Sequence, residues 1–92
     1  MSVVYCNFGG RDGVGVLALL PKQEVTTIDG SDFYVVLVPQ SPVPIGGALL
    51  FMPVSSVRQV DMKVENLMSI YVSVGAVAPT TITGTNADPK NV

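Results

Sequence analysis

The stretch that decides the fold spans residues 40–75 and reads QSPVPIGGALLFMPVSSVRQVDMKVENLMSIYVSVG. A turn rich in proline and glycine leads into an apolar strand that we predict over residues 48–52, closed by Pro53. A short polar link, with a brief strand at 57–60, precedes an amphipathic helix predicted over 64–74. We therefore expect the residues before Gln40 to supply a sheet against which this helix packs.

The turn that opens the stretch combines Pro42 and Pro44 with Gly46 and Gly47. The prolines stiffen the connection, and the glycines permit a sharp bend. We expect one of the two glycines to adopt a positive φ or to allow a close backbone approach. A polyproline ligand is the alternative interpretation of the prolines, but their place between two strands favours a rigid turn.

The predicted helix has a narrow polar arc and an apolar arc of roughly 200°, with Leu67 and Met68 near its middle. One sheet face buries about half of that width, so the excess predicts a shared surface, for which Val72 and Val74 are the candidates. Asp61 is expected to cap the helix, and Gly75 to occupy its C′ position. The polar arc consists of Glu65, Asn66, Ser69 and Ser73.

The first forty residues predict strands at 2–8, 14–20 and 33–38, with a short strand at 25–28. Turns are expected at 9–13 and 29–32, each of which contains an Asp-Gly step. The strand at 33–38 is apolar throughout, which favours burial on both faces. The predicted fold class is α+β: a small, mainly antiparallel sheet of about four to six strands with one C-terminal amphipathic helix.

The organisation predicted from these elements is a single domain over residues 1–79, followed by a flexible tail over 80–92. The tail sequence, TTITGTNADPKNV, offers little to bury.

The composition is apolar for so short a chain. Of 92 residues, 48% are hydrophobic and 13% are charged, and the formal net charge is −2. Ordinary domains carry roughly 25% charged residues, so we expect a surface buried against a partner, a second copy or a membrane. The five basic residues form no stripe, which argues against nucleic-acid binding. No apolar run reaches the roughly 18 residues of a membrane helix.

A specific motif lies within the deciding stretch: Pro42-x-Pro44-x-Gly46-Gly47-x-Leu49-Leu50-Phe51-x-Pro53, then Asp61-Met62-x-Val64-Glu65, then an apolar helix ending at Gly75. This motif resembles the domain-of-unknown-function family 502, to which the plant continuous-vascular-ring proteins belong. The resemblance covers roughly residues 3–79. The chain departs from the family pattern at Gly46 and Lys63, where the family has serine, and at Val74-Gly75, where it has a glycine pair.

The resemblance implies the soluble C-terminal domain of an integral membrane protein, preceded in the parent chain by two transmembrane helices. It further implies a domain facing the cytosol, with an undetermined molecular activity. In plants the family is associated with vascular patterning and membrane trafficking.

Residues that usually carry catalysis are scarce. Histidine is absent, so Ser55 and Ser56 have no histidine base to activate them. Cys6, the single cysteine, lies among apolar residues and is expected to be a packed thiol. The GGRDGVG segment lacks the lysine and hydroxyl of a phosphate-binding loop, and the Asp29–Asp32 turn lacks the later ligands of a calcium loop. We predict no catalytic residue, no metal site and no cofactor.

Asp61 and Glu65 are four residues apart and could form a carboxylate pair for a metal or for acid–base work. Capping by Asp61 and a favourable dipole interaction of Glu65 is the simpler interpretation.

Three functions remain from these observations. The first is a non-enzymatic domain for assembly or partner binding, through self-association or docking to the transmembrane part of the parent protein. The second is a module that binds a small ligand or a lipid in a groove between helix and sheet. The third, a hydrolase, has the least support.

Overall fold

The computed structural model describes residues 1–10 and 12–86, which form seven strands, one helix and a short 3-10 turn. The strands all pair antiparallel. In chain order the elements are β1 (Ser2–Phe8), β2 (Val14–Leu20), β3 (Thr26–Ile28), β4 (Ser31–Pro39), β5 (Gly47–Pro53), the 3-10 turn (Val54–Ser56), β6 (Val57–Val60), α1 (Val64–Val72) and β7 (Gly84–Asn86).

Both Asp-Gly segments lie in hairpin connections, as predicted. β1 and β2 pair along their whole lengths, and Gly9 and Gly10 have positive φ among the described residues of the connection between them. β3 and β4 are joined by Asp29 and Gly30, whose φ angles of 50° and 82° are typical of a two-residue type I′ turn. Asparagine, aspartate and glycine tolerate this left-handed backbone, so the local sequence dictates the second hairpin.

The sheet is organised around β4. β5 pairs with one edge of β4 along seven residues, while β3 and then β2 pair with the other edge. β1, β6 and β7 follow beyond β2. The α+β class is confirmed, and the sheet is larger than the predicted four to six strands because β7, a strand of three residues that was not predicted, extends it.

β7 corrects the predicted tail. Residues Gly84–Asn86 pair with β6, from Val60↔Gly84 to Arg58↔Asn86, although the sequence predicts no structure after residue 79. Arg58 also donates a side-chain N–H to the Gly84 carbonyl oxygen at 2.8 Å. Edge pairing satisfies the backbone of this polar segment without a large apolar contribution. Residues 87–92 of the predicted tail lie outside the described residues.

The curled sheet buries apolar side chains on both faces. One face forms a core in which Val4 and Tyr34 are fully buried, and the other face packs against α1 through Val3 and Leu67. In β4 the prediction of burial on both faces is only half right. Tyr34 and Val36 are buried, but the intervening side chains of β4 are half-buried, because α1 covers only part of that face.

The phase predicted for the helix is correct: Leu67 is fully buried and Ser69 is exposed. The expected caps are not found. Lys63 is the N-cap residue and its side chain makes no capping hydrogen bond, so Asp61 does not cap the helix. At the other end Ser73 is the C-cap.

The C-terminus of α1 forms a Schellman motif. Val74 donates its N–H to Tyr71, and Gly75 donates its N–H to Ile70 at 2.8 Å. Gly75 therefore occupies C″ rather than the predicted C′. Val74 takes the left-handed C′ position with φ 57°, an unusual backbone for a β-branched residue.

The proline- and glycine-rich turn is a close connection between β4 and β5. Ser41–Pro42 is a cis peptide bond, and neither Gly46 nor Gly47 has a positive φ. A Cβ at Gly47 would overlap the carbonyl oxygen of Val38. The expected close backbone approach is therefore present at Gly47.

Candidate binding surface

Two large apolar side chains project from β5 into solvent. Leu49 is 61% exposed and Phe51 is 49% exposed. The alternate residues of the strand, Leu50 and Met52, face the main core, where Met52 is buried. Alternation along a strand explains the difference, because the face that carries Leu49 and Phe51 extends beyond the area that α1 covers.

The backbone groups of alternate β5 residues point away from β4. Gln40 donates its N–H to Gly46 at 3.0 Å, so this pair, adjacent to Pro39↔Gly47, is a hydrogen-bonded pair. Hydrogen-bonded and non-hydrogen-bonded pairs alternate in an antiparallel ladder, so the odd-numbered β5 residues direct their backbone groups at the outer edge. Pro53, which lacks an N–H, occupies such a position in β5, and Pro39 occupies a position of β4 that donates no N–H to β5, as this alternation requires.

The outer edge of β5 is unpaired within residues 1–10 and 12–86, since the strand pairs with β4 alone there. β5 has seven residues and contains no charged residue. Proteins usually guard such an edge with lysine, a bulge or a covering segment. We call this outer edge, together with the Leu49 and Phe51 side chains, the β5 surface.

The end of α1 that was predicted as a shared surface is also exposed. Val72 and Val74 are 57% and 73% exposed. Ser41, in the β4–β5 connection, donates its hydroxyl to the Tyr71 carbonyl oxygen at 2.7 Å and so ties this helix end to the connection that precedes β5.

The predicted groove between helix and sheet is filled by packed side chains, with Leu67 and Val3 almost completely buried. A cleft of about 500 Å³ lies instead between α1 and the segment that follows it. Asn66 and Ser69 line it on the helix side, and Val77 and Ile82 line it opposite. The cleft presents both polar and apolar groups and is open to solvent.

Among the residues that the structure describes, the possible carboxylate pair, Asp61 and Glu65, is not joined by further acidic or cysteine side chains that could complete a metal site. Asp61 and Glu65 are both exposed. Within the described part of the chain, no cluster of three or more cysteine, aspartate or glutamate side chains is placed to hold a metal ion. Of the other motif positions, Pro44 and Gly46 lie in the β4–β5 connection.

Cys6 is buried in the main core, as predicted. Burial raises the pKa of its thiol from 9.0 to about 11. The thiolate is the reactive form, so this environment suppresses nucleophilic chemistry at Cys6.

Sequence reasoning treated Leu49 and Phe51 as strand residues and missed their exposure. One signal was present: Pro53 lies at a β5 position where a central strand would need a donor on its second edge. That pattern is compatible with β5 at an edge, but it does not by itself say which edge of β4 is outermost.

Comparison of the chain with protein-family models, with curated proteins and with solved structures finds no match. Among the helices of the described residues, none has the length and apolar character needed to cross a membrane.

Proposed function

We propose that this chain is a non-enzymatic assembly domain that binds another polypeptide through the β5 surface. The observation that carries the proposal is the coincidence of an unpaired, uncharged strand edge with the exposed side chains of Leu49 and Phe51. An added strand supplies main-chain hydrogen bonds, and apolar side chains at alternate positions supply contact area.

The energetics favour a strand as the occupant of this surface. Burying the exposed parts of Leu49 and Phe51 contributes about 1–2 kcal/mol each. Every edge hydrogen bond adds about 0.5–1.5 kcal/mol. A small apolar ligand could cover the side chains but would leave the backbone groups of Gly47, Leu49 and Phe51 without protein partners.

The setting of the domain is a further proposal, supported by the resemblance to family 502 at Pro42–Pro53 and at Asp61–Glu65. In this proposed setting, the chain is the soluble, cytosolic domain of an integral membrane protein linked to membrane trafficking. The domain docks to a copy of itself or to the transmembrane part of its parent. The coding sequence upstream of Met1 tests it, since two apolar spans are expected there. A parent chain without them would contradict this setting.

The second candidate function is binding of a small ligand or a lipid. The cleft between α1 and residues 77–83 favours it, because Ile70 and Ile82 provide apolar lining beside the polar groups of Asn66 and Ser69. This cleft replaces the helix–sheet groove as the candidate ligand site.

Amide chemical shifts distinguish the two functions. We expect dilution from millimolar to micromolar protein concentration to shift the amides of Gly47–Met52, while those of Asn66 and Ser69 remain unchanged. Titration with phosphatidylcholine vesicles, at one fixed protein concentration, should leave the cleft amides unaffected. Shifts at the cleft with vesicles, without any dilution effect at β5, would favour ligand binding and contradict assembly.

A further inference from the structure

We infer that β5 pairs with the β5 strand of a second copy of this chain, antiparallel across a two-fold axis at Leu49. The inference rests on the proposed function and identifies the partner. It follows from which backbone groups the β5 edge offers and from the sizes of the side chains along the strand.

The outward backbone groups select the register. Gly47, Leu49 and Phe51 each offer an N–H and a C=O at the free edge, whereas Pro53 offers only a C=O. With Leu49 opposite Leu49 of the second copy, Gly47 lies opposite Phe51, and all three N–H groups of each copy find an acceptor. A shift of two residues that sets Gly47 opposite Pro53 would still pair the three N–H groups, but the Gly47 C=O would face a proline, which has no N–H to donate.

Side-chain sizes fit the same register. Directly opposed residues share a face, so Phe51 of each copy would lie over Gly47 of the other, which has no side chain to obstruct the ring. Leu50 would lie opposite Ala48, again a large residue against a small one. Leu49 would contact its own counterpart at the axis. The strand is thus complementary to itself in this orientation.

Charge does not oppose the pairing. β5 contains no charged residue, so the two-fold axis brings no like charges together. A closed two-fold dimer also removes both unpaired β5 edges at once, whereas pairing with an unrelated strand would need separate complementarity.

Site-specific cross-linking tests the register. Directly opposed Cα atoms in an antiparallel pair lie about 4.5–5.5 Å apart, within reach of a disulfide bond. We expect Leu49→Cys, oxidised with diamide, to form a disulfide-linked dimer. Phe51→Cys is the matched control and should remain monomeric in denaturing gels, because a glycine would lie opposite it. The native Cys6 is fully buried and does not compete.

Sedimentation equilibrium tests the surface. We expect the wild-type chain to dimerise and Leu49→Lys to weaken the dimer at least tenfold, since it would place two lysines at the axis. Val14→Lys is the control: Val14 is 75% exposed but lies in β2, away from β5, so its dissociation constant should match the wild type. Circular dichroism spectra matching the wild type would show that both variants fold.

The outcomes separate this inference from the proposed function. Association that persists in Leu49→Lys, with no Leu49→Cys dimer, would overturn β5 pairing and leave assembly through another surface. A cross-linked dimer of Leu50→Cys in place of Leu49→Cys would overturn the register. A wild-type chain that stays monomeric at millimolar concentration, without dilution shifts, would overturn β5 self-pairing and leave docking of a different polypeptide as the assembly function.

Discussion

Tyr71 donates its phenolic hydroxyl to the carbonyl oxygen of Leu17, 54 residues earlier in the chain. The same residue accepts a hydrogen bond from Ser41 at its own carbonyl oxygen. Tyr71 therefore fixes the last turn of α1 both to β2 and to the β4–β5 connection. This attachment sets the limit of the area that α1 covers and leaves Leu49 and Phe51 outside it.

Removing the Tyr71 hydroxyl tests this attachment. We expect Tyr71→Phe to lower the free energy of unfolding by about 0.5–1.5 kcal/mol, because the Leu17 carbonyl loses a partner while the ring still packs. Urea unfolding measures the change. A free energy of unfolding equal to that of the wild type would show that the bond does not hold the helix.

The helix core is tested at two positions two residues apart. Leu67→Ala should lower the free energy of unfolding by about 2–5 kcal/mol, because it leaves a cavity under a fully buried side chain. Ser69→Ala is the control, since Ser69 is exposed and its hydroxyl bonds only the Glu65 carbonyl oxygen within the helix. Thermal and urea unfolding compare the two variants. Equal effects would contradict the phase of α1.

The close approach at Gly47 predicts a cost for any side chain there. Gly47→Val should destabilise the chain by about 1–3 kcal/mol, because the new Cβ overlaps the backbone oxygen of Val38. Gly46→Val is the control. Its Cβ would meet the Gln40 side-chain oxygen at 2.5 Å, which can move away. A melting temperature of Gly47→Val equal to that of the wild type would exclude the close approach.

The left-handed backbone of Val74 predicts a stabilising substitution. A left-handed conformation costs a residue with a side chain about 1–2 kcal/mol, and glycine avoids it at an entropic cost of about 0.5–1 kcal/mol. Val74→Gly should therefore raise the free energy of unfolding by about 0.5–1 kcal/mol. Val72→Gly, at the last residue of the helix, should instead lower it by about 0.5 kcal/mol. Urea unfolding of both variants measures whether each raises or lowers the free energy of unfolding. A lower value for both variants would contradict strain at Val74.

The buried thiol predicts a loss of stability at alkaline pH. The pKa of Cys6 is raised from 9.0 to about 11 by burial, so the unfolded thiol ionises before the folded one. The neutral, buried thiol contributes its full share of the free energy of unfolding below pH 9.0. That free energy falls by about 2–3 kcal/mol as the pH rises toward 11. Burial, with a smaller effect of Cys6, also raises the pKa of Tyr71, which acts in the same direction.

Urea unfolding across this pH range measures the loss. Cys6→Ala should reduce the slope of the unfolding free energy against pH, although it lowers stability at neutral pH. Tyr71→Phe, the control, should keep the Cys6 component. A slope that is the same in Cys6→Ala and in the wild type would refute the assignment to the thiol.

Local patterns determined much of the fold. Asp29-Gly30 specifies its own hairpin turn, because few other residue pairs adopt that backbone cheaply. The spacing of apolar residues placed Leu67 inward and Ser69 outward, since helical periodicity fixes which side chains share a face. Cys6 was correctly expected to be packed. Each of these features depends on interactions among near neighbours in sequence.

What only the tertiary structure decided is the order of the strands and what each face meets. β7 is short and polar, and it exists because the edge of β6 is available to it. Leu49 and Met52 are both apolar residues of one strand, yet one is exposed and the other buried. That difference, on which the candidate binding surface depends, arises from pairings and from a helix position set by residues distant in sequence. The composition predicted that some apolar surface would remain exposed. The tertiary packing determines that this surface lies at the edge of β5.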